Sequence, residues 1–168
     1  MKSLHNAGIC HRDLSLENVL IHGGHCQIID LGMCLRIPAG NPAISPQGRC
    51  GKMFYMSPEI YKSTEAFDGY AVDIWSVGVM LFMMLLGSPP FEKPCESDRS
   101  FCWVTGGKLE EMLKYWGRNI SPEAIDLLRG IMSVNPMDRL TLDQVLMHPW
   151  MMAETGGVAQ QMSSAYTQ

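Results

Sequence analysis

The chain has 168 residues, 46% of them apolar and 18% charged, and carries a formal net charge of −4. That length suffices for one domain with a substantial core, and the balance is that of a globular chain, not a disordered one. The acidic excess argues against a general nucleic-acid binder, and fourteen methionines point to an adaptable core.

Residues 1 to 7 read as the last turns of a helix closed by Gly8. Asn18 to His22 is an apolar strand, Gly23-Gly24 a two-residue hairpin signal, and His25 to Ile29 the returning strand. Asp30 then stands just past a strand end, where side chains aim into a cleft. From Met33 to Met56 periodicity disappears, and Pro38, Gly40, Pro42, Pro46, Gly48 and Gly51 punctuate the stretch. A loop this long in a compact domain is functional or disordered. Its place ahead of Ser57-Pro58-Glu59 favours function.

Residues 70 to 86 are apolar nearly all round, the mark of a helix buried on every side. Gly87 and Pro89-Pro90 end it. Its apolar run from Ile74 to Leu86, about 13 residues, is too short to cross a membrane. Lys108 to Trp116 is a short amphipathic helix. Ser121 caps the next, with Pro122 at its first position and Ile125, Leu128, Ile131 and Met132 on its apolar face beside Leu127. Thr141 to Gln144 is a capping-box pattern. The Gly-, Ser- and Gln-rich tail from Ala153 is expected to fray. No internal repeat is visible.

Six cysteines lie at 10, 26, 34, 50, 95 and 102, with no C-x-x-C pair to suggest zinc. Without a secretory signal or a small Cys-dense scaffold, the expectation is reduced thiols and a cytoplasmic setting. Cys34 and Cys50, in the aperiodic loop, are the candidates for oxidation.

The chemistry concentrates in His11-Arg12-Asp13-Leu14-Ser15-Leu16-Glu17-Asn18, followed twelve positions after Asn18 by Asp30-Leu31-Gly32. Phosphoryl transfer needs a carboxylate to position the acceptor and oxygen ligands for magnesium, converging on one point. Asp13 suits the first task, Asn18 and Asp30 the second. Gly32 gives the backbone freedom to turn. Asp73, inside an apolar helix, requires donors, because a bare buried charge is costly.

These motifs, with Ser57-Pro58-Glu59, Asp73 and Asn135-Pro136-Met137-Asp138-Arg139 in order after them, resemble the eukaryotic protein kinases over residues 1 to 151. The resemblance covers the carboxyl-terminal lobe only. It implies a mainly α fold: a helical bundle around a buried central helix (about 70–86), a small β-hairpin (about 18–29) carrying the catalytic and metal motifs, and a flexible tail over 152–168. It implies transfer of the ATP γ-phosphoryl group to a protein hydroxyl with Mg2+, and a protein substrate as partner. Asp13 would orient the acceptor hydroxyl, a contribution of roughly 10²–10⁴ in rate. Asn18 and Asp30 would hold magnesium, and Leu20 would floor the adenine site. His11 stands in register in the catalytic loop, and Asp73 would take hydrogen bonds from that loop's backbone. Glu59 and Arg139 would form a buried ion pair whose rupture costs about 3–5 kcal/mol. Arg12 would receive a phosphorylated activation loop. Ser45, the only serine or threonine between 33 and 56, is the candidate switch site, set against a plain exposed serine. Glu17 would meet a basic residue upstream of the acceptor.

The chain departs from the serine/threonine pattern at two positions. Ser15 stands where the family has lysine, and Lys52 where threonine is expected after Gly51. The losses look complementary: Lys52 would restore from the other side the cation that Ser15 lacks, its amine within about 4 Å of the Asp13 carboxylate. The alternative is a Lys52 that points to solvent. The motif Asp30-Leu31-Gly32 replaces Asp-Phe-Gly and keeps an apolar anchor. Tyr55-Met56-Ser57-Pro58-Glu59 and His148-Pro149-Trp150 resemble the serine/threonine branch, the latter its calmodulin-dependent type. Ser15 also resembles tyrosine kinases, which leaves tyrosine or dual specificity as an alternative.

The phosphate-covering glycine loop, the strand lysine and its helix glutamate have no counterpart here, and Gly23-Gly24 and Gly106-Gly107 cannot stand in. This chain by itself is therefore expected to be a weak catalyst. Apolar groups near Leu20 and Leu31 should be exposed where the other lobe would sit, inviting association. Three readings follow: part of an active ATP-dependent kinase, a short binding or scaffold module, or a pseudokinase. The survival of Asp13, Asn18 and Asp30 speaks against the last.

Overall fold

The computed structural model describes residues 1–38, 40 and 43–153. Helix α1 (Lys2–Asn6) leads through Gly8, at φ +70°, into the short strand β1 (Ile9–Cys10). A 3₁₀ turn over Leu16–Asn18 precedes β2 (Val19–His22), which pairs antiparallel with β3 (His25–Ile28), Val19 opposite Ile28 and His22 opposite His25. Gly23 and Gly24 have φ of +56° and +77°, the pair of left-handed residues that a type I′ hairpin demands. The hairpin is one residue shorter at each end than the sequence suggests, because Asn18 belongs to the turn.

The aperiodic stretch is pinned at two places. β4 (Leu35–Arg36) pairs with β1, and β5 (Ala43–Ile44) pairs with β6 (Phe67–Asp68), which follows α2 (Pro58–Lys62). Two-residue bridges are too short to show an alternation in sequence. Beneath them lies a small apolar cluster of Cys10, Ile37, Ile44, Met56, Ile60, Phe67 and Val72.

Helix α3 (Gly69–Leu86) is the axis of the molecule. Asp68 caps it, accepting from the amides of Tyr70 at 2.8 Å and Ala71 at 3.3 Å, and Gly87 ends it in the left-handed conformation. Length alone does not exclude a membrane: the helix holding this apolar run is 18 residues long and passes by length and composition. Packing decides its place instead: 61% of it is buried inside the fold, and Asp73 within it is fully bonded to protein.

Around α3 stand α4 (Arg99–Thr105), α5 (Leu109–Tyr115), α6 (Pro122–Ile131), α7 (Leu142–Leu146) and α8 (Pro149–Met152). Ser121 accepts from Ala124, and Thr141 and Gln144 close a capping box. Gly78 of α3 leaves no side chain in the path of Ile131, so α6 packs directly on the axis. Trp75, Phe82, Leu109, Leu127, Leu128 and Ile131 form the centre of the core. All six cysteines are free. Met152 belongs to α8 and not to a tail; the remainder of the expected tail, 154–168, lies outside the described residues.

Candidate active site

The site is built outward from Asp73. Its Oδ2 accepts from the His11 amide and its Oδ1 from the Arg12 amide, both at 2.8 Å, and His5 Nε2 lies 2.9 Å from Oδ2. A buried carboxylate without such donors would not be tolerated. The grip holds Arg12 at φ +68°, a left-handed conformation that a non-glycine residue rarely adopts. His11, wholly buried, accepts at Nδ1 from the Asp13 amide at 3.3 Å and donates from Nε2 to the Ile29 carbonyl at 3.1 Å. Ile29 in turn donates its amide to the Asn18 carbonyl at 2.9 Å. The loop from His11 to Asn18 is thereby tied to the end of the hairpin, and Asp30 is the next residue along.

On this frame Asp13 meets Asn18 and Lys52. Asn18 Nδ2 donates to the Asp13 carbonyl at 2.8 Å and to its Oδ2 at 3.2 Å. The Lys52 amide donates to Asp13 Oδ1 at 3.2 Å, while its Nζ donates to Ser15 Oγ at 2.8 Å and stands 3.9 Å from Asp13 Oδ2. The approach needs Gly51: at φ +83°, a Cβ there would come within 2.8 Å of the Arg12 carbonyl. Glu17 is exposed beside the same group. Its own backbone amide, then the Ser15 hydroxyl, the Lys52 ammonium and the Tyr55 hydroxyl hold its carboxyl below the usual range. Burial first, and Glu17 nearby, push the Tyr55 phenol up.

The other expected residues are placed as follows. Asp30 is exposed, left-handed at φ +63°, and accepts the Gly32 amide at 3.3 Å. Leu20 is exposed on the hairpin. Arg139 donates to Glu59 at 2.8 and 3.2 Å, to the Ala71 carbonyl at 2.6 Å and to the Ser133 carbonyl, its guanidinium 5.1 Å from the Trp75 ring centroid. Ser45 is exposed, and among the described residues no bond joins it to Arg12. Arg12 instead donates to Cys50 Sγ at 2.9 Å and lies over the Phe67 ring. Reasoning from the sequence missed His5 and Cys50 as partners and Tyr55 as a neighbour of Glu17. No local signal marks them, because each acts across a long stretch of chain.

The donor set suits a hard cation. With Nδ2 committed to Asp13, Asn18 keeps its amide oxygen, and Asp30 keeps Oδ2. Among the described residues no three His, Cys, Asp or Glu side chains stand close enough to hold an ion by themselves. Two oxygen donors that leave room for phosphate and water match what magnesium takes.

The family model described as protein kinase domain matches residues 1–151, and the chain belongs to the protein kinase family. It is 35% identical over 153 residues to mouse serine/threonine-protein kinase DCLK3, covering 88% of this chain and 18% of that protein. It is 37% identical over 155 residues to zebrafish maternal embryonic leucine zipper kinase, covering 89% and 21%. Serine/threonine-protein kinase PLK4 of Nematostella vectensis is 39% identical over 153 residues, 90% of this chain and 15% of that protein. The chain thus spans about a fifth or less of each of these relatives.

Proposed function

We propose that these residues form the acceptor-side half of a serine/threonine protein kinase, which transfers the ATP γ-phosphoryl group to a protein hydroxyl. Asp13 orients the acceptor hydroxyl and takes its proton as the phosphoryl group leaves ATP. Lys52 supplies the cation beside it that Ser15 cannot, and offsets charge on the group in flight. Asn18 locks Asp13 from the other side and, with Asp30, would hold magnesium, which when bound neutralises phosphate charge. Leu20, exposed on the hairpin, would floor the adenine. The single observation that carries the reading is the convergence of Lys52 and Asn18 on one Asp13 carboxylate.

The serine/threonine-protein kinase name that DCLK3 and PLK4 carry supports serine or threonine as acceptor, and Ser15 keeps tyrosine as the competing outcome. The test is transfer of labelled phosphate from ATP to a mixed serine, threonine and tyrosine peptide library, using the longest natural chain that contains these residues. Asp13→Asn should abolish transfer, and Lys52→Ala should lower kcat by about 10²-fold while leaving nucleotide affinity nearly unchanged. Transfer untouched by Asp13→Asn would remove the catalytic assignment. Unchanged kcat in Lys52→Ala would remove the compensation by Lys52. Label on tyrosine alone would overturn the acceptor class.

A further inference from the structure

Ser15 opens the 3₁₀ turn over Leu16–Asn18, where a serine hydroxyl commonly caps the first amides, yet its side chain makes no capping bond. It is wholly buried, and its Oγ accepts from Lys52 Nζ at 2.8 Å. An ammonium can only donate, so the Ser15 hydroxyl proton is left to be placed elsewhere. Tyr55 repeats the pattern. It is 3% exposed, and its hydroxyl oxygen accepts from the Leu16 amide at 3.4 Å, which leaves its proton free too. Buried hydroxyls call for an acceptor. Here both meet the Glu17 carboxyl and favour its charged form.

Lys52 needs such support. Its Nζ stands 3.9 Å from Asp13 Oδ2, at the outer edge of an ion pair, and its flexible side chain is 40% exposed. A pair of that kind contributes little by itself and does not fix a geometry. A serine oxygen whose proton is drawn toward a carboxylate keeps its lone pairs for the ammonium and becomes a better acceptor. Glu17 adds its own attraction for the same ammonium.

We propose that Ser15 and Glu17 are positioning residues for Lys52, joined in a relay from the Glu17 carboxylate through the Ser15 hydroxyl to the ammonium beside Asp13, and that the acceptor protein is bound without a basic residue docked on Glu17. The inference rests on the proposed part of Asp13 and Lys52 in transfer. Ser15 is then the pivot that holds the cation brought in by Lys52. The second half follows from the capacity of one carboxylate. The Glu17 amide, Ser15 and Tyr55 occupy three of its acceptor positions, out of about four. An arriving guanidinium docks best on two parallel ones. Docking there would break the relay, so an arginine upstream of the acceptor gains nothing at this residue.

Two measurements test this. The first needs no catalysis. The Glu17 carboxyl carbon is followed by NMR through an acid titration, its signal identified by its loss in Glu17→Gln. Its midpoint lies below the ordinary 4.5 in the native chain, and Ser15→Ala should raise it toward that value. A midpoint that Ser15→Ala leaves in place overturns the relay. The second uses the longest natural chain that contains these residues and paired acceptor peptides, with and without arginines upstream. Glu17→Gln should lower kcat about tenfold on both peptides and leave KM within about twofold. In the Lys52→Ala background the same change should cost less than about twofold, because the group it positions is gone. A KM rise confined to the arginine-bearing peptide would make Glu17 a docking residue and overturn the proposal. So would an unchanged kcat, or an equal loss of kcat in both backgrounds. A native chain that transfers nothing to either peptide would instead count against the kinase reading, and the titration would still decide the bond between Ser15 and Glu17.

Discussion

At the scale of single residues, the site rests on two unusual backbone conformations facing each other. Arg12 is held left-handed by Asp73, and Gly51 is left-handed where it passes the Arg12 carbonyl. Only glycine fits the second place, since a Cβ would meet that carbonyl at 2.8 Å and Asp13 Oδ1 at 3.3 Å. Gly48 offers an internal control: it has φ of +79°, but a Cβ there would meet nothing within 4 Å. Gly48→Ala should therefore lose only the left-handed penalty, about 1 kcal/mol. Gly51→Ala should lose that and a further 1–2 kcal/mol or so from displacing the loop, read as the difference between their urea unfolding curves. Equal losses would mean that the catalytic loop yields freely, and that Gly51 is no more than a turn residue. The sequence shows a glycine at both places. It does not show which of them lies against another segment, because the meeting partner is 39 positions away.

At the scale of elements, legibility followed local chemistry. The Gly23-Gly24 hairpin, the Ser121-Pro122 start of α6, the Thr141 capping box and the all-round apolar α3 each carry their signal within a few residues. Helix α4 does not. Its seven residues bury only Phe101 and Val104, too short a stripe to stand out, and its stability comes from a cap that also organises the preceding loop. Asp98 accepts from Phe101 at 3.1 Å through Oδ1, and from Glu92 and Lys93 at 2.8 and 3.0 Å through Oδ2. Burial opposes its charge, but the amides of Phe101, Lys93 and Glu92 prevail and hold its pKa below the ordinary 3.8. A carboxyl depressed in the folded state contributes stability above its unfolded pKa, and that stability disappears as pH falls through the lower folded value. Asp98→Asn should cost about 1–2 kcal/mol at neutral pH, because an amide nitrogen cannot accept from Glu92 and Lys93. The cost should hold from neutral pH down to the ordinary 3.8 and narrow as pH falls below it, where the native residue is itself protonating. A cost that is constant across that range would show that Asp98 acts by shape alone. The contact of Asn18 with Asp13 was legible for the same local reason, with five positions between them. The His5 contact with Asp73 was not, with 68 positions between them.

At the scale of the whole molecule, the core and the hairpin stand in different situations. The helices around α3 bury a continuous set of side chains, whereas the β2–β3 hairpin projects with both faces largely in solvent. A two-stranded hairpin is marginal by itself in water. This one is held at its base by the Ile29 contacts to His11 and Asn18. Its apolar residues have no cover: Leu20 is 51% exposed and Ile21 78%, with Leu31 at 57% just beyond. Alternation puts Leu20 and Ile21 on opposite faces, so no single neighbouring segment of this chain could shield both. The balance favours association of the isolated 168 residues through this end, driven by apolar burial and not by charge. Sedimentation velocity over a concentration series should show a weight-average mass that rises with concentration and does not fall when salt is added. Replacing Ile21 and Leu31 together by glutamate should return the chain to a monomer with its unfolding midpoint nearly unchanged, since neither side chain belongs to the core. A chain that is monomeric at every concentration would show that these exposed groups are tolerated singly, as scattered surface apolar residues often are. Association that persists in the double variant would move the sticky surface elsewhere, and the exposed Met137 and Met147, one before α7 and one after it, would be the next to replace.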